Sequence, residues 1–379
     1  MKIIMISSDY FPPKEMNANH NRLFYFAKGL SKHHHVTIIC PNNTSKYESS
    51  SYREITILRF PQINIRFIGK FIKIFSMPQH VMNLIKEQNI NNYFIFYNSV
   101  FASLISKKFK CFKVYDVMGI KSKELHIDKN LYNFLKSFFY KYLENILYKN
   151  SSIIITINEL HKKVLSKYFK RKIFIIRDAV EYNLGINTAL YKKLKKQYKD
   201  YFVLFFVGSL SRKRFDRNID ALESLTKSQK VKIVIAGDGK YRQYYEKLFQ
   251  ERKINVDFVG FVKGKELNSY IKMSDICFAD VYLEGFPYKI FEYMAMGKVS
   301  LVEQTEGVKE ILVDGKNSLL YKNSKEFEDK VLKLMHNIAL KKKIEKNAIM
   351  ESKKHTWDVR EKQFNDILKE VFNDKKTVQ

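Results

Sequence analysis

The chain has 379 residues, of which 45% are hydrophobic and 15% aromatic, so it is long enough to build two domains with separate cores. Its 68 Lys and Arg residues outnumber its 39 Asp and Glu residues, and the formal net charge of +29 favours polyanionic partners such as nucleic acid, anionic lipid or phosphorylated ligands. Cys40, Cys111 and Cys277 are too widely spaced for a disulfide framework or a metal-ligand cluster.

The N-terminus carries no sign of an export signal. Its short apolar run, "MKIIMISSDYFPP", is followed by Asp9 and two prolines rather than by a longer apolar core and a cleavage site. The longest apolar runs, 152–157 and 201–207, have the length of strands and are far below the roughly 20 residues that cross a bilayer. We therefore expect a cytoplasmic protein.

Strand-like runs alternate with helix-like runs along the whole chain. A lysine-rich stretch, 183–200, separates a first series from a second, and continuous apolar strands between amphipathic helices predict parallel sheets covered on both faces. The predicted fold class is therefore α/β, with two doubly wound, Rossmann-like domains facing a central cleft. The predicted strands are 2–7, 36–40, 93–97, 112–117, 152–157, 172–176, 201–207, 231–236, 256–262, 275–280 and 299–303.

Two basic amphipathic segments stand out in the first series. In 63–77, Phe67, Phe71 and Phe75 share one helical face with two isoleucines, while lysines and an arginine lie on another. This segment is equally consistent with a helix at a membrane interface and with a helix that packs on a core. For 131–147, which has similar spacing, we favour packing on a core.

The second series contains nine of the thirteen glycines. Gly208, Gly237 and Gly239 follow predicted strands and Gly260 lies near the end of one, where glycine lets the backbone approach a ligand at the carboxyl edge of a parallel sheet. Each is a weak signal alone, but together they make this half a plausible nucleotide-binding domain.

The stretch "LEGFPYKIFEYMAMGK", 283–298, predicts a short helix. Pro287 suits its first turn and Gly297 its C-terminus, so Glu284 would lie in the preceding loop and Glu292 about one turn inside. The first-turn amides and the helix dipole suit a phosphate, while Glu292 suits the vicinal hydroxyls of a ribose. A capped surface helix with scattered acids is the alternative interpretation.

The order of the motifs resembles that of a known family. "EGFPYKIFEYMAMGK" is similar to the signature of two glutamates eight residues apart in retaining glycosyltransferases of family four, which have the GT-B fold. "FVGSLSRKRFDRNIDAL" resembles the family's donor-diphosphate loop, "VDFVGFVKGKEL" its nucleobase-facing strand and turn, and "EGVKEILVDGKNSLL" the segment after the second glutamate. The N-terminal "DYFPPKEMNANHNRLFYFAKGLSKHHHVTIICP" resembles the opening strand, loop and helix.

The resemblance implies roles for individual residues. Glu292 would bind the donor ribose, Glu284 would lie by the transferred sugar, and Arg212 with Lys213 would neutralise the diphosphate leaving group. No Asp-x-Asp motif occurs, so we expect neither a metal nor another cofactor. The implied donor-binding residues are Arg212, Lys213, Gly208, Gly237, Phe261, Val262, Gly285, Phe286, Lys289 and Glu292.

The chain departs from the family pattern in three places. The usual glycine pair of the first loop is replaced by 15–22, so Asn19 and Arg22 are candidates to contact donor or acceptor. Ser209 stands where many members have arginine. The N-domain histidine is missing, and Asp116 is the nearest candidate for its catalytic role, although an aspartate that caps a turn is an equal alternative.

The resemblance implies retaining transfer from a nucleoside diphosphate sugar to a saccharide or lipid-linked saccharide during assembly of cell-surface polysaccharide, such as lipopolysaccharide or capsule, or of glycolipid. The predicted N-terminal acceptor domain is 1–183, completed by a helix at 356–379, and the donor domain is 199–354. We expect a peripheral position on the anionic inner face of the cell membrane. The alternatives are a nucleotide-sugar epimerase of similar build and a basic nucleic-acid-binding protein, although no groove-reading helix or stacking platform is visible for the latter.

Overall fold

A computed structural model describes residues 1–12, 18–61, 69–91, 93–125, 131–181, 184–281 and 286–376. Strands and helices alternate along the chain, as the apolar runs predict. The chain divides into two compact units. Unit 1 comprises Met1–Asp178 and Asp358–Gln379, and unit 2 comprises Ala179–Trp357.

Unit 1 is built on an eight-stranded sheet with the spatial order β3-β4-β2-β1-β5-β6-β7-β8. All its pairings are parallel except the one between β3 and β4. The strands are β1 (Lys2–Ile6), β2 (His35–Pro41), β3 (Glu48–Tyr52), β4 (Ile55–Phe60), β5 (Tyr93–Tyr97), β6 (Lys113–Val117), β7 (Ile153–Thr156) and β8 (Ile173–Ile175).

Helices connect these strands, and the last helix of the chain also belongs almost entirely to unit 1. Two short 3₁₀ helices also lie in connecting segments, Val100–Ala102 in unit 1 and Lys353–His355 in unit 2. The α-helices of unit 1 are α1 (Ala18–Ser31), α2 (Gly69–Glu87), α3 (Ser103–Lys108), α4 (Lys121–Leu125), α5 (Leu131–Asn150), α6 (Glu159–Leu165) and α15 (Trp357–Lys376).

Unit 2 contains a six-stranded, all-parallel sheet with the order β11-β10-β9-β12-β13-β14. Its strands are β9 (Phe202–Val207), β10 (Val231–Ala236), β11 (Val256–Gly260), β12 (Ile276–Ala279), β13 (Val299–Glu303) and β14 (Leu319–Tyr321). Its helices are α7 (Thr188–Gln197), α8 (Ile219–Ser228), α9 (Arg242–Glu251), α10 (Gly264–Met273), α11 (Lys289–Ala295), α12 (Glu306–Lys309), α13 (Ser324–Met335) and α14 (Ile338–Ser352).

Both faces of the unit 2 sheet are buried. Along β9, Leu204 and Phe206 belong to one hydrophobic core, and Val203 and Phe205 belong to another. Successive side chains of a strand point to opposite faces, so helices cover both sides of the sheet. This arrangement is the predicted doubly wound layering.

The structure tests the predictions for the two basic amphipathic segments to different extents. Phe67 lies outside the described residues, as do the side chains of Phe71 and Phe75, so the choice between membrane and core for 63–77 stays a prediction. Helix α2 nevertheless continues past this segment to Glu87 and buries Met77. For 131–147 the preference for a core is only partly right, because α5 also has an exposed apolar side.

No helix formed by the described parts of the chain is long and apolar enough to cross a membrane.

Candidate functional site

The strand order of unit 2 reverses between β9 and β12. Successive strands run outward from β9 through β10 to β11, and the chain then returns to place β12 on the other side of β9. In open α/β sheets, the carboxyl ends of the strands at such a switch point form the usual ligand-binding crevice. The loops after β9 and β12 are therefore the first place to look for a site.

Hydrogen bonds between backbone groups join the loop after β9 to the loop after β10. The N–H of Gly208 donates to the carbonyl of Ala236 at 3.0 Å, and the N–H of Leu210 donates to that of Asp238 at 2.8 Å. The N–H of Tyr241 returns to the carbonyl of Leu210 at 3.0 Å. The loop after β9 is thus held in a defined position.

Gly237 makes this close approach possible. Its φ is +141°, and a Cβ atom added there would lie 2.0 Å from the carbonyl oxygen of Gly208. Its N–H also donates to the carbonyl of Gly260 at 2.7 Å. Glycine is therefore required at position 237 by the contact between the two loops.

Two arginines of the loop after β9 converge on Asp280, which directly follows β12. The Arg214 guanidinium forms an ion pair with Asp280 through Nη1, and its Nε donates to the carbonyl of Ser209 at 2.5 Å. Arg212 Nη2 lies 3.8 Å from Asp280 Oδ2. A cationic cluster with one carboxylate therefore spans the switch point.

Lys213, the second member of the predicted basic pair, turns elsewhere. Its Nζ lies 3.4 Å from Asp216 Oδ2 and 5.0 Å from the centre of the Tyr244 ring, and Asp216 raises the pKa of Lys213. Arg214 rather than Lys213 therefore joins Arg212 at Asp280, and the role of Lys213 at the diphosphate stays a prediction. Neighbouring residues of a tight loop point in different directions, so the sequence alone does not select among the three.

Tyr245 on α9 fixes the direction of this loop. Its hydroxyl accepts from the N–H groups of Arg214 at 2.7 Å and Phe215 at 3.2 Å, and donates to Asp216 Oδ1 at 2.6 Å. The ring is fully buried, and burial together with the bond to Asp216 raises the pKa of Tyr245. The sequence analysis did not identify this residue.

Helix α11 begins two residues after Pro287 and ends two residues before Gly297. Gly297 has a φ of +67°, its N–H donates to Met294, and the N–H of Lys298 donates to Tyr293 at 2.9 Å. These two bonds form a Schellman motif and confirm the predicted C-terminal glycine. Because α11 follows β12, its first turn lies on the carboxyl side of the sheet, where the arginines also lie.

Glu292 is buried one turn inside α11, where Lys289 is its cationic partner. Lys289 Nζ lies 3.0 Å from each of its carboxylate oxygens. The Phe286 ring packs 4.7 Å from the Phe291 ring on the same helix. Glu284 and Gly285, the other predicted residues of this motif, lie outside the described residues.

Phe261 and Val262 follow β11, two strands away from β9. The Phe261 side chain is mostly exposed and Val262 is partly buried. The structure therefore places this pair at the edge of the sheet, while Gly208, Arg212 and Arg214 lie at its switch point.

In unit 1, Asp116 and Arg22 bind each other. Arg22 Nε and Nη2 donate to the two carboxylate oxygens of Asp116 at 2.7 and 2.8 Å, and both side chains are fully buried. The pair gives both side chains a structural role, while the catalytic contact of Asp116 and the ligand contact of Arg22 stay predictions. Arg22 lies in α1 rather than in a phosphate loop, and the side chain of Asn19 is not among those described.

The buried pair has further charged neighbours. Arg22 Nη1 lies 3.4 Å from Asp178, and although burial lowers the pKa of Arg22, Asp116 and Asp178 raise it by more. Burial, together with the nearby Arg177 and Arg22, lowers the pKa of Arg360 on α15 to about 10. Through this cluster, α1 and β6 are joined to Asp178, the last residue of the first segment of unit 1.

Across the described residues, no three His, Cys, Asp or Glu side chains are grouped so that they could hold a metal ion.

Comparison with known families finds a match within unit 2. Residues 188–350 match the family described as Glycosyl transferases group 1. An uncharacterized glycosyltransferase of Methanocaldococcus jannaschii is 25% identical over 362 residues, which cover 93% of this chain and 90% of the relative. The Campylobacter jejuni enzyme named GalNAc-alpha-(1->4)-GalNAc-alpha-(1->3)-diNAcBac-PP-undecaprenol alpha-1,4-N-acetyl-D-galactosaminyltransferase is 23% identical over 312 residues and covers 79% of each chain.

Solved structures resemble the chain over nearly its whole length. Sucrose-phosphate synthase of Thermosynechococcus elongatus has a TM-score of 0.81 at 15% identity, covering 98% of this chain and 99% of its own. Anabaena Alr3699/HepE in complex with UDP-glucose has a TM-score of 0.72 at 17% identity, covering 98% and 100%. The prediction of a GT-B fold is confirmed, and the group 1 domain confirms a glycosyltransferase.

Proposed function

We propose that the protein transfers a sugar, with retention of configuration, from a nucleoside diphosphate sugar to a saccharide or lipid-linked saccharide. The observation that carries this proposal is the cluster of Arg212 and Arg214 at the switch point of unit 2, with Glu292 on the helix that follows the neighbouring strand. This part of a doubly wound sheet suits a nucleotide.

The two arginines suit the diphosphate. When the bond between sugar and nucleotide breaks, negative charge develops on the departing diphosphate, and fixed cations there stabilise the transition state. Asp280 holds both guanidinium groups from one side, so they are already oriented before the diphosphate arrives. Orientation before binding reduces the entropy lost in the complex.

Glu292 suits the ribose. A carboxylate has about four acceptor positions, so the bonds from Lys289 leave capacity for two hydroxyl groups. Lys289 also holds the buried carboxylate in one orientation. We assign Glu284 to the transferred sugar by the resemblance alone.

The comparisons support a uridine nucleotide and a lipid-linked acceptor. The Anabaena structure contains UDP-glucose, and the name of the Campylobacter jejuni enzyme describes an acceptor linked through diphosphate to undecaprenol. Such an acceptor lies in a membrane, so we propose a peripheral position at the inner face of the cell membrane. The pathway would be assembly of cell-surface polysaccharide or glycolipid.

A screen of thermal unfolding with UDP, GDP and their sugars tests the donor, because a ligand that binds only the folded protein raises its melting temperature. The expected result is a concentration-dependent rise with one nucleotide and its sugars. If no nucleotide raises the melting temperature, the proposed donor site is wrong.

The reaction itself separates the proposal from its alternatives. We expect nucleotide release to depend on an added saccharide acceptor and the product to keep the anomeric configuration of the donor, as read by NMR. Nucleotide released together with an epimerised free sugar, without acceptor, would identify an epimerase. Tight binding of nucleic acid that falls steeply with salt, with no nucleotide binding, would favour the nucleic-acid alternative.

A further inference from the structure

Helix α5 of unit 1 has an apolar side that faces solvent. The exposed fractions of Phe134, Leu135, Phe138 and Tyr142 are 48%, 62%, 53% and 62%. Their spacing places them on one side of the helix. Single exposed apolar residues are ordinary, but four on one side of one helix mark an interaction surface. We call these four residues the α5 face.

The charges beside the α5 face are positive. Lys141 and Lys149 lie on the same side of the helix, seven residues after Phe134 and Tyr142, and both are exposed. The one acidic residue of α5, Glu144, is buried and accepts from the Ser122 hydroxyl at 2.6 Å. The exposed side of α5 therefore carries lysines and no carboxylate.

A cavity between α4, α5 and α6 adjoins this face. Phe138 and Lys141 line it together with Lys123 of α4, the half-exposed Tyr168 and Glu144, whose carboxylate accepts from the Ser122 hydroxyl. Lys123 is exposed like Lys141. An anionic headgroup beside the α5 face would thus meet two lysine ammonium groups.

We propose that the α5 face docks on an anionic lipid bilayer. Phe and Leu side chains would enter the boundary of the acyl chains, Tyr142 would sit at the level of the headgroups, and the lysines would contact lipid phosphates. A second copy of the chain is a poor occupant, because a symmetric contact would set lysines against lysines. The inference rests on the proposed function, since a lipid-linked acceptor requires the enzyme at a bilayer.

Sedimentation with vesicles tests the apolar contribution. The probe is a phosphatidylcholine vesicle containing phosphatidylglycerol, and the variant is Leu135→Ser with Tyr142→Ser, which alters exposed side chains. We expect the partition coefficient to fall by at least about tenfold, since two apolar groups no longer leave water. The matched control is Ile338→Ser with Met350→Ser, whose side chains are 66% and 57% exposed in unit 2, and we expect it to bind like wild type.

The charge contribution needs a second variant. Lys141→Gln with Lys149→Gln should weaken binding by about fivefold per lysine on anionic vesicles, because each lysine near an anionic surface contributes on that scale. Binding to vesicles of phosphatidylcholine alone should stay the same. Raising the salt should reduce the difference between this variant and wild type.

Several outcomes overturn the proposal. The proposal is wrong if the Leu135→Ser, Tyr142→Ser variant keeps the melting temperature of wild type and binds vesicles as tightly as wild type. Loss of binding only in Phe71→Ser with Phe75→Ser would move the contact to 63–77. Conversion of a dimer to a monomer by the α5 variant, seen by gel filtration, would assign the face to a second copy. Nucleotide binding by the same variants reports on the donor site separately, so failure of docking and failure of the proposed function are distinguishable.

Discussion

Asp280 and Arg214 form an ion pair across the point where the strand order of unit 2 reverses. Arg214 comes from the loop after β9, and Asp280 directly follows β12, so the pair joins the two strands on either side of the switch point. Arg212 is the second cation at this carboxylate. A diphosphate that binds here would meet guanidinium groups already held in place.

Arg214→Ala is therefore expected to lower the turnover number by about 10²-fold or more, as loss of one stabiliser of a developing anion typically does. Lys213→Ala is the matched control, since it removes a cation of the same loop that is half exposed and faces Asp216. Its turnover should stay within about fivefold of wild type. Initial rates with saturating donor and acceptor measure both, and a larger loss for Lys213→Ala would show that Lys213 moves to the diphosphate.

Treatment with a chelator tests separately whether a metal ion is needed to neutralise the departing diphosphate. If arginines supply the positive charge, the rate of transfer should be unchanged after treatment with EDTA and removal of the chelator–metal complex. Transfer that stops with EDTA and returns with Mg²⁺ or Mn²⁺ would contradict the assignment of this role to Arg212 and Arg214.

Gly237→Ala is expected to damage both stability and nucleotide binding, because the added methyl would overlap the Gly208 carbonyl and pull apart the loops after β9 and β10. Gly315→Ala is the control. Its φ of +70° is also positive, but nothing lies within 4 Å of the added Cβ, so it should cost only about 1–2 kcal/mol. Urea unfolding and nucleotide titration separate the two effects, and equal results for the two variants would refute a steric role for Gly237.

Asp116→Asn tests the structural role of the buried ion pair in unit 1. Removing one partner of a buried ion pair leaves the Arg22 charge uncompensated, so the free energy of unfolding should fall by about 3–5 kcal/mol. Glu370→Gln breaks an ion pair with Lys172 whose side chains are both about half exposed, and it should cost at most about 1 kcal/mol. A stable Asp116→Asn protein that binds nucleotide normally but has lost turnover would instead support the predicted catalytic role of Asp116.

The strands that the sequence predicts well are those with continuous apolar runs, such as β1 and β9. Strand β3, with the sequence ESSSY, is fully exposed at the edge of its sheet, where no apolar face is needed. Its partner β4 was also not among the predicted strands. Alternation of polar and apolar residues is the usual signal of a strand, and an exposed edge strand lacks it.

Parts of the site could be predicted where a residue determines the backbone at its own position, but contacts between distant residues could not. Pro287 and Gly297 lie just before and just after α11, and both could be interpreted because each acts on the backbone at its own position. The partnership of Arg22 with Asp116 spans 94 residues and leaves no local pattern. The choice of Arg214 over Lys213 depends on Tyr245, a residue of a different element, whose hydroxyl fixes the loop.

The most direct test of the account is a calorimetric titration of the stabilising nucleotide into Glu292→Ala. Loss of hydrogen bonds to a charged group should weaken binding by about 1.5–3 kcal/mol, which is roughly 10- to 150-fold in Kd. Glu251→Ala, which also breaks a Lys–Glu pair within a helix, should bind like wild type. Equal affinity in wild type and Glu292→Ala would contradict the assignment of Glu292 to the ribose, and with it the proposed donor site.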